Sequence, residues 1–293
     1  MSDAIVLTAH GSVDDLQDMP AFLARIRHGR PAPPGLVEEL KHRYRAIGGS
    51  PLLRTTEVQA DLLARAVGKP VFVGMRLWRP ELRDALARAI AGGATRICVL
   101  PLAPYSVHVY ARAAEQALGE LSPDGSVTLV AAQPFGAEPE FIAAHVEALE
   151  PFLRGRAQSE TELILTAHSL PMAVIRGGDP YARLVETSAE RIGAVLGWNY
   201  KLAYQSQGAD GGEWLGPDLG QVLRESRAHR RRRVVVAPVG FLCDHVETLY
   251  DLDVEARAQA AGLELDFERV PALNASPRLI QALAAVVERT LSR

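Results

Sequence analysis

Ile5-Val6-Leu7-Thr8-Ala9-His10 and Leu163-Ile164-Leu165-Thr166-Ala167-His168 are almost the same hexapeptide written twice in one chain. In each, an unbroken apolar run ends in a small residue and a histidine. Runs without polar alternation are typical of parallel strands covered by helices on both faces. The ligand crevice of such a sheet lies at the carboxyl ends of its strands. Each histidine therefore stands where a bound molecule would be met, and the repetition implies a duplicated architecture.

Working outward, the first half offers strands at Ala4–Thr8, Val71–Gly74, Arg96–Leu100 and Val127–Ala131. The second half repeats the series at Leu163–Thr166, Leu202–Gln205, Val234–Ala237 and Leu265–Arg269. Helical patterns fill the gaps. Leu82, Ala85, Leu86, Ala89 and Ile90 follow helical spacing, with Pro80 suited to the first turn and Gly92-Gly93 ending it. Asp179-Pro180 opens a helix that runs to Leu196 before Gly197, and Ser276-Pro277 opens the last one. Strands alternating with helices specify an α/β fold of two lobes, each a four-stranded parallel sheet flanked by helices. The expected boundaries are 1–157 for the first lobe, 158–275 for the second, with a polar linker near Arg154–Glu162, and 276–293 as a helix packing back on a lobe.

The chain has 293 residues, 48% of them hydrophobic, so two ordinary cores can be buried. A net charge of −3 with three tryptophans makes no case for nucleic acid. Two cysteines, Cys98 and Cys243, sit in separate strand-like segments without a CxxC partner. That argues against a disulfide framework, a zinc knuckle or an iron–sulfur cluster. No apolar run reaches the roughly 18–20 residues of a membrane-spanning helix, and no basic leader precedes the first strand. The expectation is a soluble, cytoplasmic protein whose partner is small, and a monomer, because no long exposed apolar stripe stands out.

The densest chemistry follows the third strand of the second half. In Pro238-Val239-Gly240-Phe241-Leu242-Cys243-Asp244-His245-Val246-Glu247, continuing to Glu255, a helix from Asp244 would align Glu247, Asp251 and Glu255 on one stripe. Wider π-type turns would align them better still. Stacked carboxylates repel one another and ask for a cation or for arginines. One reading is a solvated acidic face balanced by Arg257; the other is a carboxylate ladder facing the same crevice as His168, able to bind a divalent metal or to move protons. The block His229-Arg230-Arg231-Arg232-Arg233 precedes a strand and so lies at the end opposite the crevice, as a solvated surface. His28, His42, His108 and His145 form no metal-ligand spacing.

Several segments, in order and spacing, resemble the ferrochelatases, enzymes that insert ferrous iron into a porphyrin. They are His168-Ser169-Leu170-Pro171, Gly178-Asp179-Pro180-Tyr181, Gln205-Ser206, Trp214-Leu215-Gly216-Pro217 and Pro238 to Asp251. Ile26-Arg27-His28-Gly29-Arg30-Pro31 and Arg43 to Leu52 extend the match through the first half. The resemblance implies two Rossmann-like lobes with a porphyrin cleft between them, a role in haem biosynthesis, and porphyrin and Fe2+ as substrates with no tightly bound cofactor. It makes His168 and Glu247 the catalytic pair and His168, Glu247, Asp251 and Glu255 the metal-handling line. His10, Arg27, Arg43, Tyr44, Ser50 and Tyr110 then surround the tetrapyrrole, the arginines pairing with its propionates. His10 stands where some relatives carry a metal-ligating tyrosine, and the loop Leu102–Tyr110 is shorter than the family pattern. Transient contact with neighbouring haem-pathway enzymes is a further expectation. The alternatives are a chelatase for another tetrapyrrole, such as a sirohydrochlorin cobalt chelatase, and a non-catalytic haem-binding protein of the same shape.

Overall fold

The computed structural model describes residues 2–208 and 211–293. It divides into two compact units, Met1–Phe135 with Ala275–Arg293, and Gly136–Asn274.

In the first unit, strands β1 (Asp3–Ala9), β2 (Val71–Met75), β3 (Arg96–Pro101) and β4 (Thr128–Ala131) form one parallel sheet in the order β2-β1-β3-β4. Ala4 and Val6 of β1 face one core with Ile97 and Val99, against Leu82, Ala85 and Leu86. Ile5 and Leu7, pointing the other way, are equally buried. A strand covered on both faces has to be apolar throughout, which is why β1 reads as a continuous run.

The second unit repeats this plan with β5 (Thr161–His168), β6 (Tyr200–Gln205), β7 (Arg233–Ala237) and β8 (Asp266–Arg269), in the order β6-β5-β7-β8 and again all parallel. Ile164, Val234 and Val236 pack with Val222, Leu223, Leu252 and Ala256 on one face. Leu163, Leu165 and Val235 pack with Ile142, Leu149, Ala189 and Ile192 on the other.

All eight strands fall where the apolar runs place them, and the domain limits differ. The helix Pro139–Leu153, expected in the first lobe, belongs to the second unit, because its Ile142, Leu149 and Leu153 fill the core behind β5 and β7. The last helix, Pro277–Leu291, leaves the second lobe and packs on the helix Leu52–Val67 and on β3 and β4 of the first. Ser276 caps it by accepting from the Leu279 amide at 3.2 Å. Three smaller expectations also shift. The helix expected from Pro80 starts at Leu82, while the Pro80 carbonyl accepts from the Met75 amide at 2.6 Å and closes a loop. Pro180 is itself the N-cap of Tyr181–Leu196, and the Asp179 carboxylate accepts from the Tyr181 amide. Cys243 is buried in the loop after β7 and not in a strand; Cys98 is buried in β3, where burial pushes its thiol up to about 12.

The arginine block is a set of ion pairs at the amino ends of the strands. Arg231 pairs with the buried Glu162 of β5, and Arg233 pairs with Asp266 and Glu268 of β8. No helix among the described residues is long and apolar enough to cross a membrane.

Candidate active site at the carboxyl edge of the second sheet

His168 is the last residue of β5, paired in register with Gln205. Beyond it the chain is held from two sides. The Ser169 amide donates to the Gln205 carbonyl at 2.8 Å, and the buried Ser169 hydroxyl donates to the Leu215 carbonyl at 2.7 Å. Leu215 and Met172 amides donate to Leu170 and Glu213 carbonyls, so the stretch Glu213–Pro217 lies as a strap along 169–172. From the other side Tyr181 donates its hydroxyl to the His168 carbonyl at 2.9 Å. The His168 Nδ1 contacts the Ser169 carbonyl, an acceptor, so Nδ1 carries the proton and Nε2 is left as the ligating edge.

The partner carboxylate arrives from the chain after β7. Gly240 passes so close to β5 that a Cβ there would stand 2.7 Å from both Cα and Cβ of Ala167, and its amide donates to the Thr166 carbonyl at 3.0 Å. Only glycine allows that approach. The chain then places Phe241 beside both imidazoles, its ring centroid 6.4 Å from His168 and 5.3 Å from His245. His245, in extended backbone, caps one helical turn, Val246–Leu249, with its amide donating to Thr248 Oγ1 at 3.0 Å. Glu247 Oε2 ends 3.6 Å from His168 Nε2 and 3.6 Å from His245 Nε2. The Gln205 side chain locks this turn by donating to the Glu247 carbonyl at 2.6 Å.

Two imidazoles thus flank one carboxylate, and about a third of the His168 and Glu247 side-chain surfaces stays open. Burial disfavours the charged form of both. For His168 the Glu247 charge, their mutual bond, the Ser169 carbonyl and the charge of Asp251 outweigh burial and raise its pKa above the ordinary histidine value. For Glu247 burial pushes up, but His168 and His245 hold the carboxyl well below its usual range. The two groups are therefore coupled: the imidazoles favour an ionised Glu247, and Glu247 makes the His168 imidazole more basic than an ordinary histidine.

The acidic run beyond it is a π-helical segment, Asp251–Ala256, not a regular α-helix starting at Asp244. The Glu255 amide reaches back five residues to the Tyr250 carbonyl at 3.0 Å. Leu252 and Ala256 anchor the segment in the core, while Asp251 accepts from Ser206 Oγ at 2.5 Å and Glu255 is half-buried. Asp253 pairs with Arg257 and with Arg269, which also holds Asp244 at 2.8 Å. Among the described residues no group of three or more His, Cys, Asp or Glu side chains is gathered closely enough to hold a metal.

A family model for ferrochelatase matches residues 2–291. The chain belongs to the ferrochelatase family. Among curated proteins, a ferrochelatase of Acidobacterium capsulatum is 35% identical, covering 99% of this chain and 95% of its own. A coproporphyrin III ferrochelatase of Bacillus subtilis is 32% identical, covering 99% and 98%. Among solved structures, SirB from Bacillus subtilis with Fe3+ matches with a TM-score of 0.62 at 15% identity, covering 99% of this chain and 96% of that one. At that identity the likeness concerns the two-lobed α/β fold.

Every ferrochelatase-like segment of the second half meets at His168: the Ser169 turn, the Tyr181 hydroxyl, Gln205-Ser206, the Trp214–Pro217 strap and the Gly240–Asp251 crossing. Sequence reasoning missed His245; its signal was the i, i+2 spacing to Glu247 at the head of a short helix. The other candidates lie on the first unit. His10 follows β1, its ring edge-on to Phe22 at 6.4 Å and its carbonyl accepting from the Leu77 amide at 2.9 Å. Arg27 caps the helix Met19–Ile26, and its buried Nε has no partner. Arg43 reaches Glu39 at 2.7 Å, Tyr44 is buried, and Ser50 accepts from the Leu52 amide at 3.4 Å. Tyr110 is buried under the Arg76 guanidinium, 5.4 Å from its ring centroid.

Proposed function

We propose that His168 and Glu247 are the proton- and metal-exchanging pair at which this ferrochelatase inserts Fe2+ into a porphyrin. The observation that carries the reading is the single carboxylate held 3.6 Å from two imidazole Nε2 atoms at the carboxyl edge of a parallel sheet. Metallation replaces two pyrrole protons by one Fe2+. A neutral imidazole with its Nε2 free accepts a proton from the macrocycle, and the adjacent carboxylate stabilises the imidazolium that results. The same Nε2 and carboxylate oxygen suit a first-row divalent ion as it sheds water. Asp251 and Glu255 continue the line for ions leaving or entering. Binding energy at the macrocycle rim holds it out of plane so that nitrogen lone pairs are exposed.

His10, Arg27, Arg43, Tyr44, Ser50 and Tyr110 are proposed contacts to the tetrapyrrole, the arginines receiving its propionates. The relatives at hand include coproporphyrin III ferrochelatases, so both a two-propionate and a four-propionate porphyrin enter the test. We also place the enzyme in the cytoplasm as a monomer that needs no tightly bound cofactor, meeting its pathway neighbours only transiently.

The test is anaerobic turnover of Fe2+ with protoporphyrin IX and coproporphyrin III in parallel, with sirohydrochlorin as a third arm. Turnover of one porphyrin that is lost in His168→Ala, while porphyrin binding persists, supports the assignment. Full activity in that variant overturns it.

A further inference from the structure

Arg76 follows β2 at the same carboxyl edge of the first sheet as His10. Its amide donates to the Ala9 carbonyl at 2.8 Å, and the next amide, of Leu77, donates to the His10 carbonyl at 2.9 Å. The turn it belongs to is tightly built. A Cβ on Gly11 would stand 2.9 Å from the Trp78 Cβ, and Trp78 packs edge-on to Phe22 at 5.6 Å. The backbone of Arg76 is therefore fixed relative to the strand-end histidine.

Its side chain is packed on an aromatic ring, yet no anion among the described residues neutralises it. The guanidinium stacks over the Tyr110 ring at 5.4 Å, its Nε is buried without a hydrogen-bond partner, and no carboxylate among the described residues forms an ion pair with it. A stacked guanidinium with its donor edge unused is a preorganised fork for a planar anion, and a carboxylate accepts from that fork in bidentate fashion. Leaving a buried donor unmade is costly, so such an arrangement is explained best by a ligand that completes it. Three other partly buried arginines do have anions: Arg96 holds Asp3, Arg269 holds Asp244 and Asp253, and Arg156 holds Glu268.

We infer that Arg76, stacked on Tyr110, binds a carboxylate of the porphyrin and so helps to set which porphyrin is accepted. The inference rests on the ferrochelatase reading, and nothing in the resemblance assigned this residue.

The experiment is a fluorescence titration of the full-length protein with a dicarboxylic porphyrin and with its dimethyl ester, comparing wild type, Arg76→Met, Arg76→Lys and Tyr110→Leu. Thermal melting checks that each variant is folded. Arg76→Met is expected to weaken diacid binding about 10- to 100-fold, the range of a lost charge-assisted hydrogen bond, and to leave ester binding unmoved. Arg76→Lys, with the charge but not the fork, should lie between, and Tyr110→Leu should weaken the diacid selectively. In turnover the loss should appear in KM more than in kcat. Equal loss for diacid and ester, or no loss, overturns the inference and leaves the enzyme's activity untouched as a conclusion. Failure of the wild-type protein to bind the diacid, its ester and coproporphyrin III alike would overturn the proposed porphyrin site, and the inference with it.

Discussion

Lowering the pH from 7 to 5 should destabilise the second unit through one residue far from the chemistry. His145 lies in the helix Pro139–Leu153, 5% exposed, its ring edge-on to Phe141 at 4.7 Å and its Nε2 without a partner. Burial alone lowers its pKa from 6.5 to about 3. The folded protein therefore keeps this imidazole neutral at pH values where the unfolded chain protonates it. A depressed histidine pKa means that its full contribution is present above 6.5 and is lost as pH falls from there towards 3. Integrating proton binding over the two states gives a loss of about 2 kcal/mol between pH 7 and pH 5, and a limit of about 5 kcal/mol below pH 3. The assay is urea unfolding at pH 7, 6 and 5, followed by circular dichroism, for wild type and His145→Leu. The leucine fills similar space and cannot titrate, so the wild type should lose about 2 kcal/mol more than the variant over that interval. The helix packs on Tyr181–Leu196, whose Tyr181 holds the His168 carbonyl, so activity in the wild type should become acid-labile in step. Identical pH dependence in both proteins would refute the assignment of a neutral, solvent-excluded imidazole.

Glu247→Gln should reduce kcat by about 100- to 10,000-fold, the usual worth of a positioned acid–base group. In the same metal-free variant the His168 titration followed by NMR should move downward, because burial would no longer be opposed by the carboxylate. Gly240→Ala should cost about 1–3 kcal/mol by overpacking against Ala167, seen as a lowered Tm, and should reduce activity by displacing the end of β5. Arg269→Met should destabilise by about 3 kcal/mol in urea, since it leaves Asp244 and Asp253 without their shared, largely buried cation.

The linear chain determined the two sheets. A strand buried on both faces must be apolar throughout, so Ile5-Val6-Leu7 and Leu163-Ile164-Leu165 could hardly be anything else, and the repeat announced the duplication. It also placed His168 at a strand end, because that follows from local periodicity, whereas the regular helix expected from Asp244 gave way to the short turn Val246–Leu249 and the π-helical segment Asp251–Ala256. It did not decide where the helices at 139–153 and 277–291 dock. Each presents an apolar face that either sheet would accept, and only the cores behind β5–β7 and β3–β4 choose between them. Nor did it separate Asp253 from its acidic neighbours, or bring His245 to Glu247. Those distinctions depend on Arg269 arriving from β8, on Gln205 arriving from β6, and on Gly240 crossing β5 within contact distance. Partners far apart in sequence carry no periodic signal, and only the folded chain selects which of many charged and polar groups will meet.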